Sequence, residues 1–371
     1  MEKKPNYASL LWRIKRQPEA AIQKVLSTIP DNILLDCNRK VVDLAMGDGS
    51  YLAEVLRRRI ANGSSYEEAS STLYGYESKP VYLTAASRLY ALQRSNLAIL
   101  TETDLDQFDM KFDVVIGNPP YNNTQKQGNA TAGTSLWIKF LEVIPKLLKQ
   151  DGWCSLLVPQ VVLNTNSAGF KKIKSLDLVA GQTGMESYFP GIATGIAQIT
   201  FVNRPSDGSG YHIINGTKVN RNRVMALPKD VDETALSIFE KISQFDSIPW
   251  VRSDWDGFQT SDKQRVIAKS FMDRDAHYNF YDAAETEKRG LKKVNLCWTD
   301  KYDPNKLRNF MLNKLFSYHC QQTAYNGNIS IGVMRTLTLP SNWEELKTDS
   351  DVFNAYGLNQ DEINYVENAV K

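Results

Sequence analysis

Asn118, Pro119, Pro120 and Tyr121 are the residues of this chain whose types are hardest to explain as plain structure. They follow an apolar run, Phe112-Asp113-Val114-Val115-Ile116-Gly117, that reads as a buried strand. Two consecutive prolines fix two φ angles and remove two N–H donors. The residue before each is pushed toward extended backbone. The product is a stiff, non-helical ledge that carries one amide side chain, two carbonyls and a flat ring. Such a ledge suits gripping a planar amino group. The plain alternative is a loop that merely leaves a strand.

Other polar residues fall at equivalent places. Asp43-Leu44-Ala45-Met46-Gly47-Asp48-Gly49-Ser50 closes a first strand, and Ala45, Gly47 and Gly49 let a ligand approach the backbone. No phosphate-loop lysine follows, which counts against an ATP site. Glu77 closes a second strand, where a carboxylate can accept both hydroxyls of a ribose. Asp104 follows a third strand and could accept an adenine amino group; Asn118 closes the fourth. Ligands of open parallel sheets bind beyond the carboxyl ends of the strands. Acids and an amide after four successive strands, with a glycine loop, therefore outline a nucleoside-sized pocket. Each member has a plain reading too: a structural turn for the glycines, a helix cap or surface charge for Glu77, a solvent-facing turn residue for Asp48, core packing for Tyr121.

The elements that must position these residues alternate. Residues 8–29 read as one or two helices. Strands are expected at 41–45, 72–77, 97–100, 112–117 and 153–158, with further strand-like runs near 178–180 and 196–202. Helices are expected over 50–60, 80–93, 135–149 (with Pro145 as a kink or restart) and 168–176, and 128–133 reads as a flexible loop. This alternation predicts an α/β class, a doubly wound and mostly parallel sheet. Asn203-Arg204-Pro205-Ser206-Asp207-Gly208-Ser209-Gly210 is the expected boundary. It gives a first domain over 1–203, with a helical extension at 1–30, and a second over 204–371. The second is irregular and aromatic-rich, read as mixed α+β, and Asn359 and Glu362 stand at capping-box spacing ahead of a terminal helix.

At 371 residues the chain can bury a sizeable core, so no metal or disulfide staple is needed. Cys37, Cys154, Cys297 and Cys320 form no CxxC pair, and His212, His277 and His319 lack the spacing of a triad or metal site. No metal is expected, and a reducing compartment is. The N-terminus lacks a signal-peptide core, and no apolar run approaches the ~18 residues of a membrane span. The net charge of +2 neither demands nor excludes nucleic acid. Basic groups such as Arg57-Arg58-Arg59 and Lys171-Lys172 read mainly as solvated helix faces, with phosphate contact as the alternative.

The ordered set resembles the S-adenosylmethionine-dependent amino-methyltransferases of the gamma arrangement, above all the N6-adenine DNA methyltransferases of restriction–modification systems. The resemblance covers roughly residues 40–203 and implies a Rossmann-like methyltransferase domain. Asp43 through Gly49 is similar to the family's cofactor loop, Glu77 to its ribose-binding acid and Asp104 to its adenine-contacting acid. Asn118-Pro119-Pro120-Tyr121 is similar to its catalytic signature, and Phe189-Pro190-Gly191 to a segment whose aromatic residue packs on a flipped base. The resemblance thus implies S-adenosyl-L-methionine bound by Asp43, Ala45, Gly47, Gly49, Glu77, Asp104 and Asn118. It implies chemistry at Asn118 to Tyr121, with Tyr121 and Phe189 stacking on the target base. Met46 and Asp48 stand where small or neutral residues are commoner, and no N-terminal cofactor motif is legible in residues 1–30.

Residues 307–340 look like target-recognition segments of such enzymes, and Arg252, Lys263, Arg265, Lys269 and the Lys288–Lys293 group are phosphate-contact candidates by charge. The implied partners are double-stranded DNA and a separate cognate restriction endonuclease, with no membrane. A monomer in the cytoplasm of a bacterial or phage-infected cell fits an asymmetric target. RNA adenine, DNA N4-cytosine and protein glutamine methylation stay open, as does a catalytically silent DNA-binding module.

Overall fold

The structure, a computed structural model, describes residues 17–101, 109–121, 135–164, 167–192, 195–209, 211–252, 266–269, 280–281, 296–323 and 331–370. The chain divides into two compact units. The described residues within Met1–Pro159, Lys171–Ile192 and Ile196–Gly208 form the first; those within Gln160–Phe170, Ala193–Gly195 and Ser209–Lys371 form the second.

The first unit opens with α1 (Glu19–Leu26) and a single turn, α2 (Asp31–Leu34). Ala21, Ile22, Val25 and Leu26 bury one stripe of α1, the spacing of an amphipathic helix. Strands and helices then alternate: β1 (Val41–Asp43), α3 (Ser50–Ala61), α4 (Tyr66–Ser71), β2 (Leu73–Glu77), α5 (Pro80–Tyr90), β3 (Leu97–Ile99), β4 (Phe112–Gly117), α6 (Leu136–Leu147) and β5 (Leu148–Pro159). β6 (Leu176–Gln182) and β7 (Ile196–Pro205) follow. These strands lie in the order β3-β2-β1-β4-β5-β7-β6. β1 pairs in parallel with β2 and β4, β2 with β3, and β4 with β5, while β7 runs antiparallel to both β5 and β6. The doubly wound, mostly parallel sheet expected from the alternation is present. β4 is buried at every position, as a strand covered on both faces must be.

Several boundaries shift, most of all around Pro145. α6 runs through Pro145 without interruption and ends two residues beyond it. It stops at Leu147, and Lys149 already belongs to β5, whose ladder begins where Leu148 faces Phe112. Residues 8–16 of the expected N-terminal helices, the expected loop at 128–133, and Asp104 lie outside the described residues.

Two polar devices lock the first unit. Arg59 is fully buried, against the reading of its triplet as a solvated face. Three consecutive helical residues span about 200° and so point in three different directions, of which that of Arg59 faces inward. Arg57 stays exposed and pairs with Glu54, whereas Arg59 spends its guanidinium on the loop before β1 and the end of α4. It donates to the carbonyls of Leu34, Asp36, Arg39 and Ala69, and to Thr72 Oγ1, at 2.8–3.1 Å. The second device bolts the end of α1 to the sheet. Ser155 Oγ donates to Val25 O at 2.8 Å, and Thr28 Oγ1 reaches Ser155 and Thr200, with Gln198 Nε2 donating into the same group.

The second unit is mixed α+β. It holds the hairpin β8 (Tyr211–Ile214) and β9 (Thr217–Asn220), α7 (Glu233–Ile242), and an antiparallel pair of β10 (Asp246–Ser247) with a later strand, Thr338–Leu339. A further sheet joins β11 (Val251–Arg252), β12 (Val266–Lys269), β13 (Phe280–Tyr281) and β14 (Leu296–Thr299) in the order β11-β14-β12-β13. Helices α8 (Pro304–Met311), α9 (Lys314–Thr323), α10 (Ile331–Met334), α11 (Asp349–Ala355) and α12 (Gln360–Ala369) complete it. His319 stacks on Phe239 with centroids 5.0 Å apart, and burial pushes its pKa down to about 3, so it is a neutral core residue. Asn359 and Glu362 form the expected capping box, and Glu362 also takes Ser237 Oγ at 2.6 Å and Lys241 Nζ at 2.5 Å. Among the phosphate-contact candidates, Arg252 ends β11 and Lys269 ends β12; Lys263, Arg265 and the Lys288–Lys293 group lie outside the described residues. No described helix is long and apolar enough to cross a membrane.

Replacing Arg59 by Met keeps the stem and deletes every donor, leaving buried carbonyls unpaired. We expect a loss of about 3 kcal/mol in urea unfolding. A loss below about 1 kcal/mol would show that water replaces the guanidinium.

Candidate active site

The strand order reverses between β1 and β4, since β2 follows β1 on one side and β5 follows β4 on the other. Such a switch point leaves a crevice at the carboxyl ends of the two strands. Asp43, Ala45, Gly117, Asn118, Pro119 and Phe140 line a crevice there.

Asp43 ends β1 and is almost fully buried. Its Oδ1 accepts the Ala45 N–H at 3.0 Å, whereas its buried Oδ2 has no partner. Gly117, closing β4, makes room for it. Its φ of +142° disfavours any side chain, and a Cβ there would stand 2.5 Å from Asp43 Oδ1. Burial, aided by the nearby charges of Glu77 and Asp48, pushes the Asp43 carboxyl up to about 8.

The glycine loop is tied to β2 through Glu77. Glu77 Oε2 accepts the Gly47 N–H at 3.1 Å, and Oε1 accepts the Lys79 N–H at 3.2 Å. Gly47 has φ +55° with open space where a side chain would point, while Gly49, at φ +88°, packs so closely on Ala86 and Leu92 that a Cβ would come within 2.9 Å of each. The two glycines therefore serve different ends: Gly47 leaves the loop open, and Gly49 seats it against α5.

Asp48 is not a solvent-facing turn residue. It is 1% exposed, caps the start of α3 through Ser50 N at 3.2 Å, and takes the Tyr90 hydroxyl at 3.0 Å. Met46, the other unusual loop residue, is buried too. A Cβ on Gly75 would fall 2.2 Å from its sulfur, so β2 carries glycine where the loop carries bulk.

Asn118 leaves β4 with its Nδ2 donating to Gln17 Oε1 at 3.2 Å. Pro119 is buried and Pro120 exposed. Tyr121 and Phe189 are both partly buried against one hydrophobic cluster built from α1, α3 and the sheet. The Tyr121 hydroxyl is buried without a partner, and its pKa is raised by burial and then by Glu186. The structure thus brings Asp43, Ala45, Gly47, Gly49, Glu77 and Asn118 to one edge of the sheet.

Two residues were not legible as site members. Gln17 stands 101 positions from Asn118, and its only local signal is a polar residue before Pro18 at the start of a helix. Tyr51 lies on the buried stripe of α3, with a hydroxyl that also lacks a partner. Its pKa is raised well above the ordinary value by burial, then by Asp43 and Tyr121, so three unpartnered oxygens share one region. Of these, Asp43 Oδ2 belongs to a residue lining the crevice, and a cationic or hydrogen-bonding ligand would complete it. Among the described residues, no group of three or more His, Cys, Asp or Glu could hold a metal ion.

Residues 63–178 match the model of the Eco57I restriction-modification methylase family. The matched segment is under a third of the chain and includes Glu77 and Asn118 to Tyr121. No curated protein matches significantly. Among solved structures, the chain is similar to a modification subunit assigned to a type I restriction enzyme of Vibrio vulnificus YJ016. The identity is 16%, with 60% of this chain and 50% of that one covered and a TM-score of 0.43. A type I restriction-modification methyltransferase subunit from Streptococcus thermophilus gives 18% identity, 54% and 47% coverage and a TM-score of 0.37. The type IIG restriction endonuclease BpuSI gives 14%, 67% and 37%, and 0.44. The chain spans about half the length of the first two and less of the third.

Asp43 yields a pH signature. Its folded pKa of about 8 stands above the unfolded value of about 3.9, so between these limits the folded state holds the extra proton. Stability from this group is present below about pH 4 and lost as pH rises toward 8. Asp43→Asn has no such dependence. Without ligand, the variant's unfolding free energy should gain on wild type by on the order of 3 kcal/mol between pH 5 and pH 8. Parallel curves would mean that Asp43 is ionised throughout.

Proposed function

We propose that this chain is an S-adenosylmethionine-dependent methyltransferase that modifies the N6 amino group of adenine in duplex DNA. The observation that carries the reading is the pairing of an unpartnered, buried carboxyl oxygen on Asp43 with the Asn118-Pro119-Pro120-Tyr121 ledge across the switch between β1 and β4. The match of residues 63–178 to a restriction-modification methylase family supports a nucleic-acid substrate.

In this reading Asp43, Ala45, Gly47, Gly49 and Glu77 hold the cofactor, and Asp104 completes its adenine end. Asp43 faces its positive charge, Gly47 opens the loop to it, and Glu77 takes the ribose hydroxyls. When bound, S-adenosylmethionine supplies a methyl group on a positively charged sulfur. The target amine is a weak nucleophile, because its lone pair is delocalised into the ring. Asn118 Oδ1 and the Pro119 carbonyl accept its two hydrogens, which draws the nitrogen toward a tetrahedral shape and frees the lone pair. The two prolines hold those acceptors fixed, so the contribution is positioning and oriented dipoles rather than a strong base; on transfer the sulfur would keep the electron pair of the broken sulfur–methyl bond, and the nitrogen would afterwards shed its extra proton to water. Tyr121 and Phe189 supply ring surfaces for a base taken out of the duplex. The second unit serves as the target-recognition domain. A cognate endonuclease, a monomeric state and a cytoplasmic setting belong to the same reading.

The test is transfer of a labelled methyl group from S-adenosylmethionine in parallel to duplex DNA, RNA and a protein extract, followed by mass spectrometry of the modified nucleoside or residue. N6-methyladenine in DNA is expected; label confined to protein would sink the reading. Asn118→Ala should slow transfer at least about a hundredfold with cofactor affinity little changed.

A further inference from the structure

Resting on the reading above, we propose that Gln17 is a positioning residue that sets which way the Asn118 amide faces. An asparagine amide has two faces of nearly equal shape and opposite hydrogen-bonding character: a carbonyl that accepts and an NH2 that donates. A half-turn of the side chain exchanges them. To accept a hydrogen from a target amine, Asn118 must present Oδ1; with NH2 outward it would set donor against donor. Nothing in the ledge itself makes that choice, since the prolines fix backbone and not the Asn118 side chain.

The choice is made from outside the ledge. Asn118 Nδ2 donates to Gln17 Oε1 at 3.2 Å, and among the described residues Oδ1 makes no hydrogen bond. The bond occupies the donor end and leaves the acceptor end for a ligand. The main chain at Gln17 is well placed to hold. It precedes Pro18, which restricts it to extended backbone. The Pro18 carbonyl in turn accepts the amides of Ala21 at 3.0 Å and Ile22 at 3.1 Å. Those two side chains are buried in the first turn of α1. The far end of α1 is bolted to β5 and β7 through Val25, Thr28, Ser155 and Thr200. Gln17 thus stands on a helix fixed to the same sheet that carries Asn118.

Three replacements separate this role from simple packing. Glu at position 17 offers only acceptors and keeps the bond. Met has similar length and offers none. Lys offers only donors and would select the reversed amide. Gln17→Met is expected to lower the single-turnover methyl-transfer rate about tenfold, the worth of one amide hydrogen bond, with cofactor dissociation constant changed less than twofold. Gln17→Glu should return the rate to within about threefold of wild type, and Gln17→Lys should fall below Met. Equal losses in Met and Glu, no loss in Met, or a loss read entirely in cofactor affinity would each overturn the role.

A second readout needs no activity. The Asn118 side-chain NH2 resonance, identified by its disappearance in Asn118→Ala, should exchange with water several-fold faster in Gln17→Met and at the wild-type rate in Gln17→Glu. Unchanged exchange in Gln17→Met overturns the proposal. Absence of methyl transfer by the wild-type chain overturns the functional reading instead, and the exchange rates still judge Gln17.

Discussion

A carboxyl group is buried at the end of β1 with one oxygen unsatisfied, and the neighbouring backbone is shaped around that burial. Gly117 has no side chain because Asp43 Oδ1 occupies its place, and the positive φ this permits swings the chain out of β4 and into Asn118. The Ala45 amide donates to that same oxygen. The departure of β1 into the glycine loop and the departure of β4 into the ledge are thus both set by one acidic group. An uncompensated buried acid is costly, and its elevated pKa is the physical trace of that cost. Such a group is tolerated where a ligand of opposite charge repays it.

The loop shows how an unusual sequence reaches an ordinary outcome. Met46 is bulky, and β2 answers it with Gly75. Asp48 is charged, and Ser50 and Tyr90 answer it with donors. Each of these residues is matched by contacts from around the loop, which hold its shape and leave Gly47 open. Glu77 then ties that opening to β2, which gives the loop and the acid beyond it a common frame.

What could be read from the chain follows from what is local. The strand before Asn118, the glycine loop after Asp43 and the acid at Glu77 were legible because each is a short pattern closing a strand, and the topology puts strand ends together. The burial of Arg59 was hidden in a run of three like charges, since only the angular spacing of a helix tells which one turns inward. Asp48 looked like a turn residue because Tyr90, its partner, lies 42 positions away. Gln17 was invisible for the same reason on a larger scale. Its meaning comes from a contact made only after α1 has docked on the sheet. Local pattern therefore pointed to the crevice at the strand ends, while the contacts made by the groups around it are tertiary.

The two prolines after Asn118 have one further consequence. Neither can donate a backbone hydrogen bond, and the Asn118 amide turns its own NH2 toward Gln17. In the proposed reading, the Asn118-Pro119-Pro120 part of the ledge therefore offers a visiting ring acceptors and no donor. A keto oxygen brought against it meets like polarity, whereas an amino group meets its complement. In that reading the surface would sort planar guests by hydrogen-bonding sign before their outline is consulted, and leave the choice among amines to the walls around it.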